Sequence, residues 1–302
     1  MSNLLLALLC LAIGKLLQNV RQFPDSSAQT LNLYVIYVAL PALILVQIPK
    51  IPLDPHVLAP VIFAWLMMGL SLGIVWLIAR FFRWSATVTG GLLLVTVLGN
   101  TGFIGYPLIE AHLGKDALPY AILYDQLGTF LALNTLGIAI ASRYAPEANI
   151  ATEPLWRKIL RFPPFSAIVL GFLLNFFDVP IAKFVDDVLH RIADTLVPVV
   201  MVAVGLQWRL RIEKTEYKPI VFAIIFILLI KPFIALILLL PIKLDPLIAH
   251  AILLEAAMPA MISTSALALM YQLAPRLVST IIGYSLILSF ATVWGWKVLI
   301  TA

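Results

Sequence analysis

Ten long apolar stretches are the feature that most constrains how this chain can fold. A helix that crosses the hydrocarbon core of a bilayer needs roughly 20 predominantly apolar residues. The stretches are continuous, whereas barrel strands alternate in segments of about ten residues, so a transmembrane β-barrel is excluded. We predict an all-α integral membrane protein with ten transmembrane helices. The predicted spans are 3–19, 27–48, 57–79, 88–113, 117–141, 164–177, 187–208, 219–241, 246–271 and 277–300.

Composition excludes a single soluble core, and ten spans leave no room for a second, soluble domain. Hydrophobic residues make up 62% of the 302 residues and charged residues only 12%, whereas soluble domains are about half apolar and a quarter charged. The formal net charge is +5, but no basic run with interleaved aromatic residues stands out. We therefore expect a lipid bilayer and no nucleic acid as partner, because a Lys/Arg surplus in a membrane protein usually reflects loop topology.

The distribution of Lys and Arg predicts the orientation. Cytoplasmic loops are enriched in these residues, and the odd-numbered connections hold twice as many as the even-numbered connections and the termini together. Both termini are therefore predicted outside, in a cytoplasmic (inner or plasma) membrane. The odd connections hold Arg21, Arg80, Arg83, Arg143, Arg157, Lys158, Arg161, Arg209, Arg211, Lys214, Lys218 and Arg276, and the remainder hold Lys50, Lys115, Lys183, Arg191, Lys243 and Lys297.

The ten spans divide into two halves of five. Residues 1–141 form the first repeat, 142–163 a polar cytoplasmic linker and 164–302 the second repeat. Because five is an odd number, the second half enters the membrane in the opposite direction, as in an inverted repeat. Pro41 in the second helix has a counterpart in Pro198 of the seventh.

The fourth and ninth helices are each interrupted near the middle. The fourth contains GNTGFIGYP at 99–107 and the ninth EAAMPAMISTS at 255–265. Proline removes a helical hydrogen bond, and glycine tolerates other backbone angles. Interruptions at matching positions of two halves indicate a transporter's binding site near the bilayer midplane. The alternative is a pair of ordinary proline kinks.

Three stretches resemble the auxin efflux carrier family, which includes the plant PIN-FORMED carriers and many bacterial members. They are LNLYVIYVALPALIL (31–45), GNTGFIGYPLIEAHLG (99–114) and EAAMPAMISTSALALMYQLAPRLVSTIIGYSLILS (255–289), in the family's order. The resemblance implies a 5+5 inverted repeat with two crossing broken helices, the fourth and ninth. This fold is similar to that of sodium/proton antiporters and bile-acid symporters.

The resemblance also implies a mechanism. Helices 1, 2, 6 and 7 would form a scaffold, and helices 3–5 and 8–10 a transport domain that carries substrate by an elevator motion. Family substrates are mostly small organic anions, such as auxin in plants and malonate, malate or lactate in bacteria. Related folds often dimerise through scaffold helices, so a homodimer is among the expected partners.

Polar and flexible residues at the two breaks are the candidate substrate-binding residues. Unwound helix ends present N–H groups that bind carboxylates, and by resemblance Asn100 and Pro107 belong to the crossover. Asn100 would alternatively cap a broken helix end, and Ser263 would alternatively bond a carbonyl one turn back. The full set is Asn100, Thr101, Gly105, Pro107, Met258, Pro259 and Ser263.

Three ionisable residues lie near the middle of predicted spans: Asp125, Lys231 and Glu255. Charges there are costly, so each must face the protein interior or water. Asn100, Asp125 and Glu255, with loose backbone carbonyls, form a candidate metal site for sodium or a site for a shared proton. The alternative for Asp125 and Glu255 is a static buried ion pair with Lys231. Three roles are open for Lys231 itself: a fixed counter-ion, a partner of the substrate carboxylate or a structural residue.

The candidate ion-binding residues distinguish this chain from the plant carriers. Glu255 at the ninth-helix break is similar to the glutamate that helps to bind sodium in bile-acid symporters. Asp125 and Glu255 are not matched in the plant carriers, which are thought to be uncoupled. We therefore expect sodium or a proton as the coupling ion and no other cofactor. An uncoupled carrier or a substrate-sensing receptor on the same fold is the alternative.

An integral-membrane enzyme is the rival from another class. Such enzymes need paired acids for magnesium and diphosphate, or a nucleophile with an adjacent base. The sequence has no DDxxD, HxxxxD, Walker loop or cysteine cluster, so we predict that the protein is not an enzyme. Six tryptophans near span ends are predicted to form an aromatic belt, namely Trp76, Trp84, Trp156, Trp208, Trp294 and Trp296.

Overall fold

A computed structural model describes residues 2–24, 26–146, 157, 162–208 and 217–301. Most of the predicted linker 142–163 lies outside the described residues. The same holds for five of the cations counted as cytoplasmic, which are Lys158, Arg161, Arg209, Arg211 and Lys214.

The described part of the chain is helical, and each of the ten predicted segments contains helix. π-Helical turns interrupt the second, fourth, fifth and eighth segments. The helices run Ser2–Leu17, Ser27–Tyr34, Val35–Ala39 (π), Leu40–Gln47, Ala59–Phe81, Ala86–Val97, Thr101–Gly105 (π), Tyr106–Leu113, Leu118–Leu123, Tyr124–Phe130 (π), Leu133–Gly137 (π), Ile138–Tyr144, Pro163–Phe176, Lys183–Ala193, Leu196–Gln207, Tyr217–Ile225, Phe226–Ile230 (π), Lys231–Leu239, Pro246–Ala256, Thr264–Met270 and Pro275–Thr301.

Five helical stretches within the described residues are long and apolar enough to cross a membrane on their own. They are Ser27–Lys50, Pro55–Phe81, Lys183–Gln207, Tyr217–Leu239 and Pro275–Thr301. Four further apolar helices are shorter, namely Asn3–Leu17, Ala86–Val97, Pro163–Phe176 and Pro246–Ala256. The all-α membrane class is therefore confirmed, whereas the ten-span, 5+5 arrangement stays a prediction.

The chain folds into two compact units. The first comprises Met1–Val57, Tyr106–Ile122 and Glu153–Trp208, and the second comprises Leu58–Gly105, Leu123–Thr152 and Arg209–Ala302. The predicted assignment of helices to a scaffold and a transport domain remains a prediction about how the protein moves.

Two glycines allow two helices of the first unit to pack with their backbones in contact. Gly14 lies on helix Ser2–Leu17 and Gly205 on helix Leu196–Gln207. A Cβ at Gly14 would overlap the carbonyl oxygen of Val202, and one at Gly205 would overlap that of Leu11. Small residues allow such backbone contact between membrane helices, where close packing replaces the hydrophobic effect as the source of attraction.

The end of helix Leu196–Gln207 is capped from the neighbouring helix. Gln18 Nε2 donates to the carbonyl oxygens of Gly205, Leu206 and Trp208, each at 2.9 Å. Lys15 Nζ donates to the Trp208 carbonyl at 2.8 Å. The last carbonyls of a helix lack an N–H partner four residues later, although Gly205 also accepts from the Trp208 N–H at 3.3 Å. A cation also suits the negative end of the helix dipole.

Gly205→Ala is predicted to destabilise the protein. Its methyl group must push two backbones apart, and such overpacking typically costs about 1–3 kcal/mol. Gly69→Ala is the matched control, because a Cβ at Gly69 has no atom within 4 Å and alanine favours helix. Thermal unfolding in detergent should show a lower melting temperature for Gly205→Ala alone. Equal melting temperatures would contradict the packing described.

Candidate functional site

Two helices of the second unit stop and restart. Helix Ala86–Val97 ends before a π-turn that begins at Thr101, and helix Pro246–Ala256 ends before helix Thr264–Met270. The interruptions coincide with the motifs at 99–107 and 255–265. The predicted breaks of the fourth and ninth helices are therefore present.

The two interrupted segments pair with each other through backbone hydrogen bonds. Asn100 N–H donates to the Pro259 carbonyl at 2.7 Å, and Met261 N–H donates to the Leu98 carbonyl at 3.1 Å. Gly99 and Ala260 form a single antiparallel bridge. Residues 98–100 and 259–261 are called the paired breaks. The pairing satisfies polar backbone groups that a bilayer interior would otherwise leave unbonded.

One buried side chain accepts a further hydrogen bond from the paired breaks. Ser285, on helix Pro275–Thr301, is fully buried, and its Oγ accepts a hydrogen bond from Ala260 N–H at 3.2 Å. Sequence reasoning missed Ser285, because a buried serine on an apolar helix carries no signal of what it faces.

All three predicted charged residues are buried in the same unit as the paired breaks. Asp125 and Lys231 are 4% exposed, and Glu255 is 1% exposed. The Asp125 carboxylate accepts hydrogen bonds from Thr101 Oγ1 at 2.5 Å and from Gln126 Nε2 at 2.6 Å. Thr101, in the break of the fourth helix, therefore contacts Asp125 of the fifth helix.

Glu255 is in an unfavourable position for a negative charge. It is the penultimate residue of helix Pro246–Ala256, where the helix dipole is negative. Neither carboxylate oxygen has a hydrogen-bond partner among the described residues. A Cβ at Gly105 would stand 2.7 and 2.8 Å from the two oxygens. Glycine at 105 therefore leaves the space that the carboxylate occupies.

Lys231 is the counter-charge of the cluster. Its ammonium interacts electrostatically with the Glu255 carboxylate. Its Nζ would be 3.5 Å from a Cβ at Gly99. Asp125 is also within electrostatic range of Glu255. Two carboxylates and one ammonium sum to a formal charge of −1 when all are ionised. One further positive charge or proton would neutralise the cluster.

Asn100 has a side-chain donor that the described residues do not use. The residue is 2% exposed, and its Nδ2 has no hydrogen-bond partner among them. Its backbone carbonyl accepts the Gly105 N–H at 3.0 Å and so begins the π-turn. The backbone of Asn100 thus organises the break, while its amide remains available to a ligand.

The other predicted substrate residues are dispersed. Met258 and Pro259 are buried at the second break, whereas Ser263 is exposed just before helix Thr264–Met270. Pro107 is buried in helix Tyr106–Leu113, which belongs to the first unit. The structure thus gathers Asn100, Thr101, Gly105, Met258 and Pro259 with the three charged residues, and it does not place Ser263 among them.

A separate small cavity lies in the first unit. Its lining includes Gln47, Tyr106 and Glu110. Lys115 and Asp194 form an ion pair of 2.6 Å at its edge, and this hydrogen bond holds the pKa of Lys115 above its usual value. The Lys115 and Asp194 side chains are 50% and 59% exposed. Their ion pair therefore contributes little to stability.

The fold and the site together define a class. The chain is an all-helical membrane protein in which two broken helices pair beside buried charges, an arrangement typical of secondary transporters. Residues 1–297 match the family of membrane transport proteins. The chain belongs to this family, that of the auxin efflux carriers, and the resemblance is confirmed.

Relatives from two archaea extend over the whole chain. An uncharacterized transporter of Methanocaldococcus jannaschii is 27% identical over 99% of both chains. An uncharacterized transporter of Methanothermobacter thermautotrophicus is 29% identical over 99% of this chain and 97% of its own. The similarity indicates membrane transport without naming a substrate.

Gly105→Ala is predicted to act through Glu255. Its methyl group meets the carboxylate, so the variant should melt at a lower temperature than wild type. The loss should shrink in a Glu255→Ala background, where the clash is gone. Gly99→Ala is the control, since its nearest contact of 3.5 Å is ordinary packing. If the Gly105→Ala loss were the same in both backgrounds, the two groups would not be in contact.

Proposed function

We propose that this protein is a secondary transporter of a small organic anion, coupled to a cation that binds at Glu255 and Asp125. The observation that carries the proposal is Glu255, a buried carboxylate without hydrogen-bond partners among the described residues, at the negative end of a helix. Such a group is stabilised by a bound cation or by protonation. In transporters built from broken helices, coupling ions bind at the helix breaks.

Sodium is the first candidate for the coupling ion. The side-chain oxygens of Asn100, Asp125 and Glu255 and the carbonyls of the paired breaks are hard donors, which suit a hard cation. A single monovalent ion would offset the charge of Glu255, whose oxygens have no hydrogen-bond partner among the described residues. A proton is the second candidate, because a protonated Glu255 would remove the same charge without needing a coordination shell.

Asn100 is the proposed anchor of the substrate. Its buried amide is a donor without a partner in the described part of the chain, and a carboxylate accepts such hydrogen bonds. The N–H groups of the turn that begins at Thr101 add partial positive charge at the same break. The rest of the proposed substrate set is Pro107, which the family resemblance implies, and Gly105, Met258, Pro259 and Ser263, which were chosen for their positions at the two breaks.

The transport cycle follows from the same resemblance. Helices 3–5 and 8–10 would carry substrate and ion past a scaffold of helices 1, 2, 6 and 7, as an elevator. We propose a cytoplasmic-membrane location with both termini outside and a homodimer as the assembly. In this account an uncoupled carrier is the alternative, and the ion dependence of flux separates the two.

Glu255→Gln is predicted to abolish coupling. In proteoliposomes, an inward sodium gradient should accelerate uptake of a transported carboxylate by wild type and leave the variant unaffected, because glutamine offers no charge to the ion. Asp125→Asn should weaken the sodium response in the same direction. Glu110→Gln is the matched control, since Glu110 lines the separate cavity of the first unit.

Three outcomes of this flux assay decide the coupling. If a pH gradient drives uptake where sodium does not, the proton candidate replaces sodium at the same residues. Uptake that ignores both gradients identifies an uncoupled carrier. Sodium-driven uptake that survives in Glu255→Gln would place the ion elsewhere.

Asn100→Asp is predicted to reduce carboxylate uptake more strongly than Asn100→Ala. Both variants lose the amide donor, and the aspartate also adds a negative charge that repels the substrate. Asn134→Ala is the control, because Asn134 Nδ2 donates to the Phe130 carbonyl of its own helix at 3.0 Å. Uptake of radiolabelled mono- and dicarboxylates and auxin would be compared. Equal losses for Asn100→Asp and Asn134→Ala would remove Asn100 from the substrate site.

A further inference from the structure

Two tryptophans of the second unit donate hydrogen bonds to backbone carbonyls inside neighbouring helices. Trp65 Nε1 donates to the Leu127 carbonyl at 3.0 Å, and Trp296 Nε1 donates to the Leu228 carbonyl at 2.9 Å. A carbonyl within a regular α-helix already accepts from the N–H four residues later. Such a carbonyl has a second lone pair and can accept an additional bond, so an indole donor matters most where the helical pattern is interrupted and that N–H is lost.

Both interruptions are visible in the backbone. The partner expected for Leu228 is residue 232, which is Pro232 and has no N–H. The partner expected for Leu127 is the N–H of Leu131, which donates to Gly128 instead. Both carbonyls thus lose the usual α-helical partner and accept from a tryptophan. In a bilayer interior, no water would replace that donor.

The two interruptions carry the charged residues of the site. Leu127 and Asp125 lie in the same π-turn, Tyr124–Phe130. Leu228 lies in the π-turn Phe226–Ile230, and Lys231 is the residue that follows it. A π-turn inserts one residue into an α-helix, so its collapse to α would rotate one side of the helix by about 100° relative to the other.

We propose that Trp65 and Trp296 are positioning residues, which hold these two π-turns and thereby direct Asp125 and Lys231 toward Glu255. The inference rests on the proposed function, in which these charges serve the coupling ion. Each indole supplies a donor to one carbonyl of a π-turn. Without it, the first carbonyl regains its α-helical donor only if its turn rearranges, and the second, whose helical partner is a proline, must shift toward another donor. Either shift moves the neighbouring charged side chain.

Trp294 and Trp296 lie two residues apart, but they differ in hydrogen bonding within the described residues. Trp294 is 57% exposed and has no hydrogen bond within the described chain, as expected for an aromatic belt. Trp296 was assigned to the same belt from the sequence, but its N–H bonds inside the protein. Trp65 was not singled out at all, because nothing in its local sequence indicates a partner 62 residues later.

Double-mutant cycles test the proposal without requiring transport. Trp296→Phe keeps a ring and removes the donor, and it is combined with Lys231→Met. Trp65→Phe is combined with Asp125→Asn, and Trp294→Phe with Lys231→Met is the control. Melting temperatures of the purified proteins should be non-additive in the first two cycles and additive in the control, because loss of the charge removes what the indole positions.

A second measurement connects the cycles to the ion. In Trp65→Phe and Trp296→Phe, the sodium concentration for half-maximal stabilisation should rise by about fivefold, which corresponds to a coupling of about 1 kcal/mol, while Trp294→Phe resembles wild type. Additive cycles for both tryptophans would overturn the inference even if sodium binds. Non-additive cycles in a protein that wild-type measurements show to be insensitive to cations would support positioning and reject the proposed coupling.

Discussion

The buried charge imbalance around Glu255 is the constraint on which the rest of the site depends. Two carboxylates and one ammonium are enclosed in the second unit, and the Glu255 oxygens find no hydrogen bond among the described residues. Uncompensated charge is costly in a membrane interior, and the end of helix Pro246–Ala256 makes it more so. In the proposed function, a bound cation or a proton offsets this cost.

The paired breaks reduce the free-energy cost of interrupting two helices beside this site. Ending two helices inside a membrane protein leaves backbone groups without partners, and the bonds between Asn100 and Pro259 and between Met261 and Leu98 satisfy several of them. The interruption also brings Gly105 against the Glu255 carboxylate. The same irregular backbone therefore creates the space that the Glu255 carboxylate occupies.

Much of this arrangement is readable from the sequence, because it depends on local chemistry. Apolar run length predicts the helices, Pro and Gly predict the breaks, and Asp125, Lys231 and Glu255 are conspicuous as charges within apolar spans. Contacts between distant segments are not readable. The bond from Thr101 to Asp125, the support of Ala260 by Ser285 and the indole bonds of Trp65 and Trp296 depend on packing. Pro232 signals one π-turn, but no residue signals the turn at Tyr124–Phe130.

The most direct test of the central claim is cation-dependent stability of the purified protein in detergent. Sodium is replaced by potassium at constant ionic strength and pH, and melting temperatures of wild type and Glu255→Gln are compared. A ligand that binds only the folded state raises its stability with concentration. We expect a sodium-specific increase in melting temperature in wild type that is absent in Glu255→Gln. An equal increase in both proteins would contradict a cation site at Glu255.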